Sequence, residues 1–358
     1  MLLVNLRFIL LAFLCFGCVN SEIGSASLHT VKPLDKPAEL SVVFLGTTSF
    51  LVETSTEQLL LDGYISRSRH MLVFPIQPSS KRLDNMLHDL LICKSTGASN
   101  LRGQNAKCRT PDHPRLALVL AMHGHYDHMM DLPYIAGWAG APMLSDPSVA
   151  PLWSETRELT SERSEAFNWT LAESARLPIE DYLGPRAKTL PMKSLNIRLF
   201  ETEHNDNLIS RFIKSKTPGQ FRFPSLIWNM GLGRNLSVLV RHKNRKMLFI
   251  GSAGKIGTVF SDADVESDVV FLSIGGLSVR PHEDWDEYWL NVVLATGAKR
   301  VYLTHWDDHQ KPLKAPDYRL KPTIFENHDA VFSHFKMLAA RDDVTLLFAP
   351  VAQRFDPF

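Results

Sequence analysis

Three histidines and one aspartate fall inside the six-residue stretch His-Gly-His-Tyr-Asp-His, as His123, His125, Asp127 and His128. Ahead of them Leu116 to Met122 is an unbroken apolar run, the length of a strand buried on both faces. Side chains repeat every second residue on an extended backbone, so His123 and His125 point the same way and can share one ion. Asp127 and His128 follow where the chain turns into a helix, and can serve a second ion or orient the first. Neutral imidazole and carboxylate suit zinc, manganese or iron, with zinc the default for a nitrogen-rich site. The bland alternative is a polar loop that holds three histidines by chance, expected on the order of once in a thousand such chains.

Placed after a buried strand, this hexapeptide resembles the H-x-H-x-D-H signature of the metallo-beta-lactamase fold superfamily. The resemblance extends over roughly residues 40 to 350 and implies an α/β (α+β) fold, a four-layer αβ/βα sandwich of two mixed sheets with helices outside. It makes His204, in Glu203-His204-Asn205-Asp206 at the end of an alternating segment, the third ligand that His123 and His125 lack. It makes His305, in Thr304-His305-Trp306-Asp307-Asp308-His309, the partner of Asp127 and His128 at a second ion. Asp62, in Asp62-Gly63, would brace the site from behind the ligands, although Asp-Gly is also an ordinary turn. The chain departs from the pattern at Gly251-Ser252, where the superfamily has an aspartate that bridges two ions. A hydroxyl is a weak ligand without charge, so one or two ions per chain are both open, with Asp307 a neighbour that could stand in for the bridge. His282 is expected to line the pocket or back a ligand.

These residues need elements to carry them. Leu40 to Leu45, Ser49 to Glu53 and Gln58 to Leu61 read as a meander ending at Asp62. Leu195 to Glu201 delivers His204. Leu236 to Arg241 and Lys246 to Ile250 form a hairpin ending at Ser252, Val269 to Ile274 is a buried strand, and Arg300 to Leu303 delivers His305. Pro142 to Leu144 reads as a short edge strand and Val344 to Ala349 as the last strand. Helices are expected at Ser80 to Lys94, Met129 to Trp138, Trp285 to Leu294 and Glu326 to Ala340. Insertions are expected near 66–112, 151–190 and 208–228. The last carries Arg211, Lys214, Lys216 and Arg222 among Phe212, Phe221, Phe223 and Trp228, a composition suited to an anionic or lipid-like substrate or to an ordinary surface loop.

The 358 residues suffice for one large domain over 39–358. With 39 basic against 38 acidic residues, the surface as a whole offers no field for nucleic acid. Residues 1–20 carry one basic side chain and an apolar run, Phe8 to Phe16, too short to span a bilayer but suited to a secretory signal. Gly17-Cys18 is similar to the end of a bacterial lipoprotein signal, which implies export to the periplasm or envelope and membrane attachment through a lipidated Cys18. Residues 21–38 read as a polar tether. Cys93 and Cys108 either pair in an oxidising compartment or remain buried thiols.

The expected function is hydrolysis by metal-activated water, with Asp127 as the catalytic residue. His305-Trp306 and the short early motifs resemble the branch containing N-acyl phosphatidylethanolamine phospholipase D and related phosphodiesterases or lactone hydrolases. A phosphodiester substrate, lipid or small-molecule, is therefore expected first. A lactone, ester or amide hydrolase is the second reading, and a non-catalytic envelope protein keeping one structural metal the third.

Overall fold

The computed structural model describes residues 29–34, 38–69, 74–94, 106–110, 112–162, 167–174, 177–184, 187–188, 190, 192–205, 221–231, 233–263, 265–314 and 318–358. The expected signal segment, Cys18 and the basic residues Arg211, Lys214 and Lys216 lie outside them. Among the described residues no helix is long and apolar enough to cross a membrane.

Among the described residues fourteen strands form two sheets of seven. They are β1 (His29–Thr30), β2 (Leu40–Phe44), β3 (Phe50–Thr54), β4 (Glu57–Leu61), β5 (Arg115–Leu120), β6 (Met143–Ser145), β7 (Leu177–Pro178), β8 (Asn196–Thr202), β9 (Asn235–His242), β10 (Arg245–Ile250), β11 (Val269–Ser273), β12 (Arg300–Thr304), β13 (Thr345–Phe348) and β14 (Arg354–Phe355). The first sheet runs β14-β2-β3-β4-β5-β6-β7 and the second β1-β13-β12-β11-β10-β9-β8. Both mix parallel and antiparallel pairs.

Residue parity sorts the core into layers. In β4 and β5, Leu59, Leu61, Leu118 and Leu120 turn into the space between the sheets, whereas Leu60 and Val119 turn outward under helices. Both sets are fully buried, which is why these strands read as continuous apolar runs. Between the sheets Phe271 stacks on Phe249 at 4.5 Å and on Tyr302 at 5.0 Å, with Phe50 4.7 Å away. The outer face of the second sheet is covered by the helices His282–Trp289 and His328–Arg341 through Trp285, Trp289, Val331 and Phe335. The result is the αβ/βα sandwich.

Parallel pairing sets the ends of the site-bearing strands level. Leu61 is in register with Leu120, and the Asp62 N–H donates to the Leu120 carbonyl at 2.8 Å, so Asp62 emerges beside the histidine-rich loop. The sheets are tied at this end, where the Leu236 N–H donates to the Met122 carbonyl at 2.8 Å.

Four expectations are corrected. The tether over 21–38 is partly ordered against the body: His29 and Thr30 pair with Leu347 and Phe348, an edge pairing too short to leave a sequence pattern. Met143–Ser145 is not an edge strand, because the two-residue β7 pairs beyond it. The helix expected from Met129 is two pieces, Tyr126–Met129 and Leu132–Ala139. The helix expected from Trp285 starts at His282 and passes into a π-helical segment at Leu290–Leu294. Cys93 and Cys108 form a disulfide with Cα atoms 5.4 Å apart, between the helix Ser80–Asp89 and β5.

Phe271→Ala removes the ring at the centre of the aromatic stack and should cost about 3–5 kcal/mol. A lowered urea midpoint at unchanged slope is the expected reading.

Candidate metal centre

β5 ends at Leu120, and two buried residues later His123 opens the loop. His125 is extended, at φ −67° and ψ 150°, and caps the short helix Tyr126–Met129, so Asp127 and His128 stand on its first turn. β8 ends at Thr202 and brings in His204; β12 ends at Thr304 and brings in His305. These six side chains form two groups, His123 with His125 and His204, and Asp127 with His128 and His305. Within each group the potential ligand atoms lie within 4.8 Å of one another. The groups adjoin, with the His123 and His128 ring centroids 3.6 Å apart.

Two of the rings, His128 and His204, are aimed by what their other nitrogen does. Asp62 Oδ2 lies 2.7 Å from His128 Nδ1 and accepts the Thr48 hydroxyl at 2.6 Å, and Oδ1 accepts the Met122 N–H at 2.7 Å. A proton held on Nδ1 by that carboxylate leaves His128 Nε2 as the lone-pair donor, the usual support of a ligand histidine. His204 Nδ1 donates to the Asn205 carbonyl at 2.8 Å. The Asn205 N–H donates to the Ser252 hydroxyl at 3.0 Å, and the Asn205 amide to the Gly275 carbonyl at 2.8 Å. Ser252 thus fixes the loop that carries His204.

Among the described residues, His123 Nδ1 and Nε2 and His125 Nε2 are buried without a hydrogen-bond partner. Such orphaned groups cost about 1–3 kcal/mol each. Three convergent imidazoles are a donor set for a zinc-class dication with a position left open, and Asp127, His128 and His305 are a second such set. The residues therefore fit the ions that the sequence pattern implies.

Electrostatics separates the two groups. Burial, reinforced by neighbouring rings, holds His123 and His204 well below the usual histidine range, and burial brings His125 down to about 4. These rings are neutral ligands at pH 7. Burial opposes ionisation of Asp127, but His128 and the hydrogen bond from His305 outweigh it and keep the carboxyl well below its usual range. Burial likewise opposes charge on His305, but Asp127 Oδ2, 3.3 Å from its Nε2, outweighs that and lifts the ring to about 9.

Three residues at the site have left-handed backbones: Thr47 at φ +50°, Asp62 at +48° and His305 at +58°. Such conformations cost roughly 1–3 kcal/mol in non-glycine residues. The His305 N–H donates to the Thr47 carbonyl at 2.8 Å, joining two of them. Gly275 packs so closely on the His305 ring that a Cβ there would lie 2.4 Å from Nδ1.

Two expectations fail here. Asp307 cannot stand in for a bridging carboxylate: it is fully buried against Arg67 at 2.6 Å and accepts the Thr47 N–H at 2.7 Å, so both oxygens are engaged. His282 is exposed at the start of its helix, against Trp285 and His334, and belongs to neither group. The sequence reading missed Thr48, Arg67 and His309. Thr48 and Arg67 lie in irregular segments with no motif to mark them. His309, whose ring centroid is 6.1 Å from that of His305, was legible as the last residue of the His305 motif.

The family model described as the beta-lactamase superfamily domain matches residues 94–306, more than half of the chain. The chain belongs to the beta-lactamase superfamily. The matched residues of this superfamily member include both ligand groups and Ser252, but not Asp62. A search of curated proteins finds no match. Among solved structures the superfamily member is similar to a metallo hydrolase from the archaeon Ignicoccus hospitalis, at 13% identity and TM-score 0.46 over 88% of this chain and 98% of that one. It is similar to the metallo-beta-lactamase fold protein YhfI of Bacillus subtilis, at 11% identity and TM-score 0.45 over 90% and 100%. It is also similar to the diiron beta-hydroxylase CmlA of Streptomyces venezuelae, at 16% identity and TM-score 0.44 over 89% of this chain and 54% of that one.

Loading His305 as a ligand requires its proton to leave. Zinc binding to the second group should release the His305 proton, about one per chain at pH 7 and progressively less above about pH 9, whereas the ligand rings of the first group give up none. Calorimetry in buffers of different ionisation heat measures this; release confined to the first equivalent of zinc would contradict it.

Proposed function

We propose that this metal-dependent hydrolase of the beta-lactamase superfamily cleaves a phosphodiester, lipid phosphodiesters included, using zinc held by His123, His125 and His204 and a second ion at Asp127, His128 and His305. The observation that carries the reading is the pair of adjoining ligand groups, whose nearest rings, His123 and His128, lie 3.6 Å apart. When bound, such ions activate water near neutral pH and polarise a substrate oxygen, and a pair can clamp both oxygens of an in-line displacement at phosphorus. The resemblance at His305-Trp306 to the phospholipase D branch supports the same substrate class.

The chain's own residues do the positioning. Asp127 Oδ2 lies 3.3 Å from His305 Nε2 and 3.7 Å from His128 Nε2, so the carboxylate is held against the other two donors of its group. A carboxyl held this far below its usual range keeps a negative charge and accepts a hydrogen bond from the attacking water better than it retains a proton. Orientation of the nucleophile is therefore its role. Asp62 and Ser252 hold His128 and the His204 loop, and Gly275 allows His305 its close seat.

The reading includes export, with a mature chain beginning at a lipidated Cys18. The Cys93–Cys108 disulfide supports an oxidising compartment.

Assays of phosphodiesters, lactones and beta-lactams should show turnover of the first. Asp127→Asn should retain zinc at the first group, by elemental analysis, while lowering turnover by about a hundred- to ten-thousandfold. Turnover confined to lactones would transfer the activity to the second class, and an active Asp127→Asn would remove the role given to that carboxylate. For export, mass spectrometry of the mature chain should find an acylated N-terminus at Cys18; retention of Met1 would sink that part.

A further inference from the structure

The two ligand groups share no side chain, and among their six donors only Asp127 is anionic. One more carboxylate, Asp62, stands behind His128, already accepting from Met122 and Thr48. Asp307 is neutralised by Arg67, and Glu326, near His305, accepts the Gly276 N–H at 2.7 Å and is pushed by burial toward its neutral form. Two dications would bring twice the charge that Asp127 and Asp62 offset, in a buried setting where water screens repulsion poorly. Residue 252, where the resemblance places a shared carboxylate, is a buried serine whose hydroxyl is committed to the Asn205 N–H. Among the described residues the chain therefore supplies too little negative charge for both groups to be filled at once.

We propose that both groups fill together only with an oxyanion between them, so that the second cation and a phosphate or phosphodiester bind cooperatively. The identity of the anion rests on the phosphodiesterase reading; the coupling rests on the donor set alone. The single bridging charge that a side chain could have provided comes here with the ligand. Substrate then completes the binuclear site, and an enzyme without substrate holds one tight ion. Because binding couplings are reciprocal, the second cation must tighten the anion by the same factor by which the anion tightens the cation.

The test is zinc binding to the full chain by competition with a chromophoric chelator, with and without inorganic phosphate. Wild type should bind one zinc tightly and a second weakly, and phosphate should tighten the second by about ten- to a hundredfold. Calorimetry should show phosphate binding to doubly loaded protein more tightly by the same factor. Ser252→Asp should bind both zinc ions tightly without phosphate, and Ser252→Ala should keep the phosphate dependence, which separates the missing charge from any disturbance of the His204 loop. Two equally tight zinc ions in phosphate-free wild type, or a single zinc at every phosphate concentration, would overturn the proposal. Coupling that acetate produces as well as phosphate would uphold it while removing its support for a phosphodiester substrate. Intact coupling without turnover of any phosphodiester would count against the activity alone.

Discussion

The Asp62 carboxylate is where fold and site become one problem. Its Oδ1 takes the Met122 N–H, which fixes the end of β5 against the end of β4, and its Oδ2 takes both the Thr48 hydroxyl and the His128 ring. A buried carboxylate must be satisfied by hydrogen bonds to be tolerated. Those partners come from the β2–β3 turn, the strand before the histidine loop and the helix after it. Loss of any of them would leave a charge without compensation in the core and a ligand ring without an aim. The geometry of the second ligand group thus depends on how β4 and β5 are registered, several residues below it.

The sandwich was largely legible because its signals are local and strong. β4, β5, β10, β11 and β12 each contain an apolar run, and the points soon after which the runs stop are marked by Asp62, His123, Ser252, Gly275 and His305. Weakly patterned elements escaped: β1 and β7 are two-residue strands defined by backbone pairing at sheet edges, which leaves no hydrophobic period to read. The helix after the histidines breaks where Pro133, which has no N–H to donate to the preceding turn, opens the second piece, and Asp131 at the break turns inward, its carboxylate accepting the Ile65 and Ser66 N–H groups at 2.8 and 2.6 Å. That is a tertiary contact, and periodicity carries no trace of it.

The site divides the same way. Residue types and spacing singled out His123, His125, Asp127 and His128, the family resemblance added His204 and His305, and the fold gathers the six into two groups. What surrounds them was not legible, since support can come from any polar group that arrives. Thr48 and Arg67 are ordinary residues by sequence, and Asp307 looked free until its partner, 240 positions away, came into view. Ser252 was read as a deficiency; in three dimensions it also has a positive task, holding the backbone beside His204.

The left-handed residues Thr47, Asp62 and His305 have a consequence for any attempt to make this protein hardier. Glycine is the replacement that relieves such a backbone, and elsewhere in a chain that exchange is a routine stabilising step. Here it would delete the side chain of His305 or Asp62, or loosen the turn whose carbonyl receives the His305 N–H. Tension and chemistry occupy the same positions. Engineering for robustness must therefore work at a distance, in the aromatic layer or the surface helices, and leave these three positions as they are.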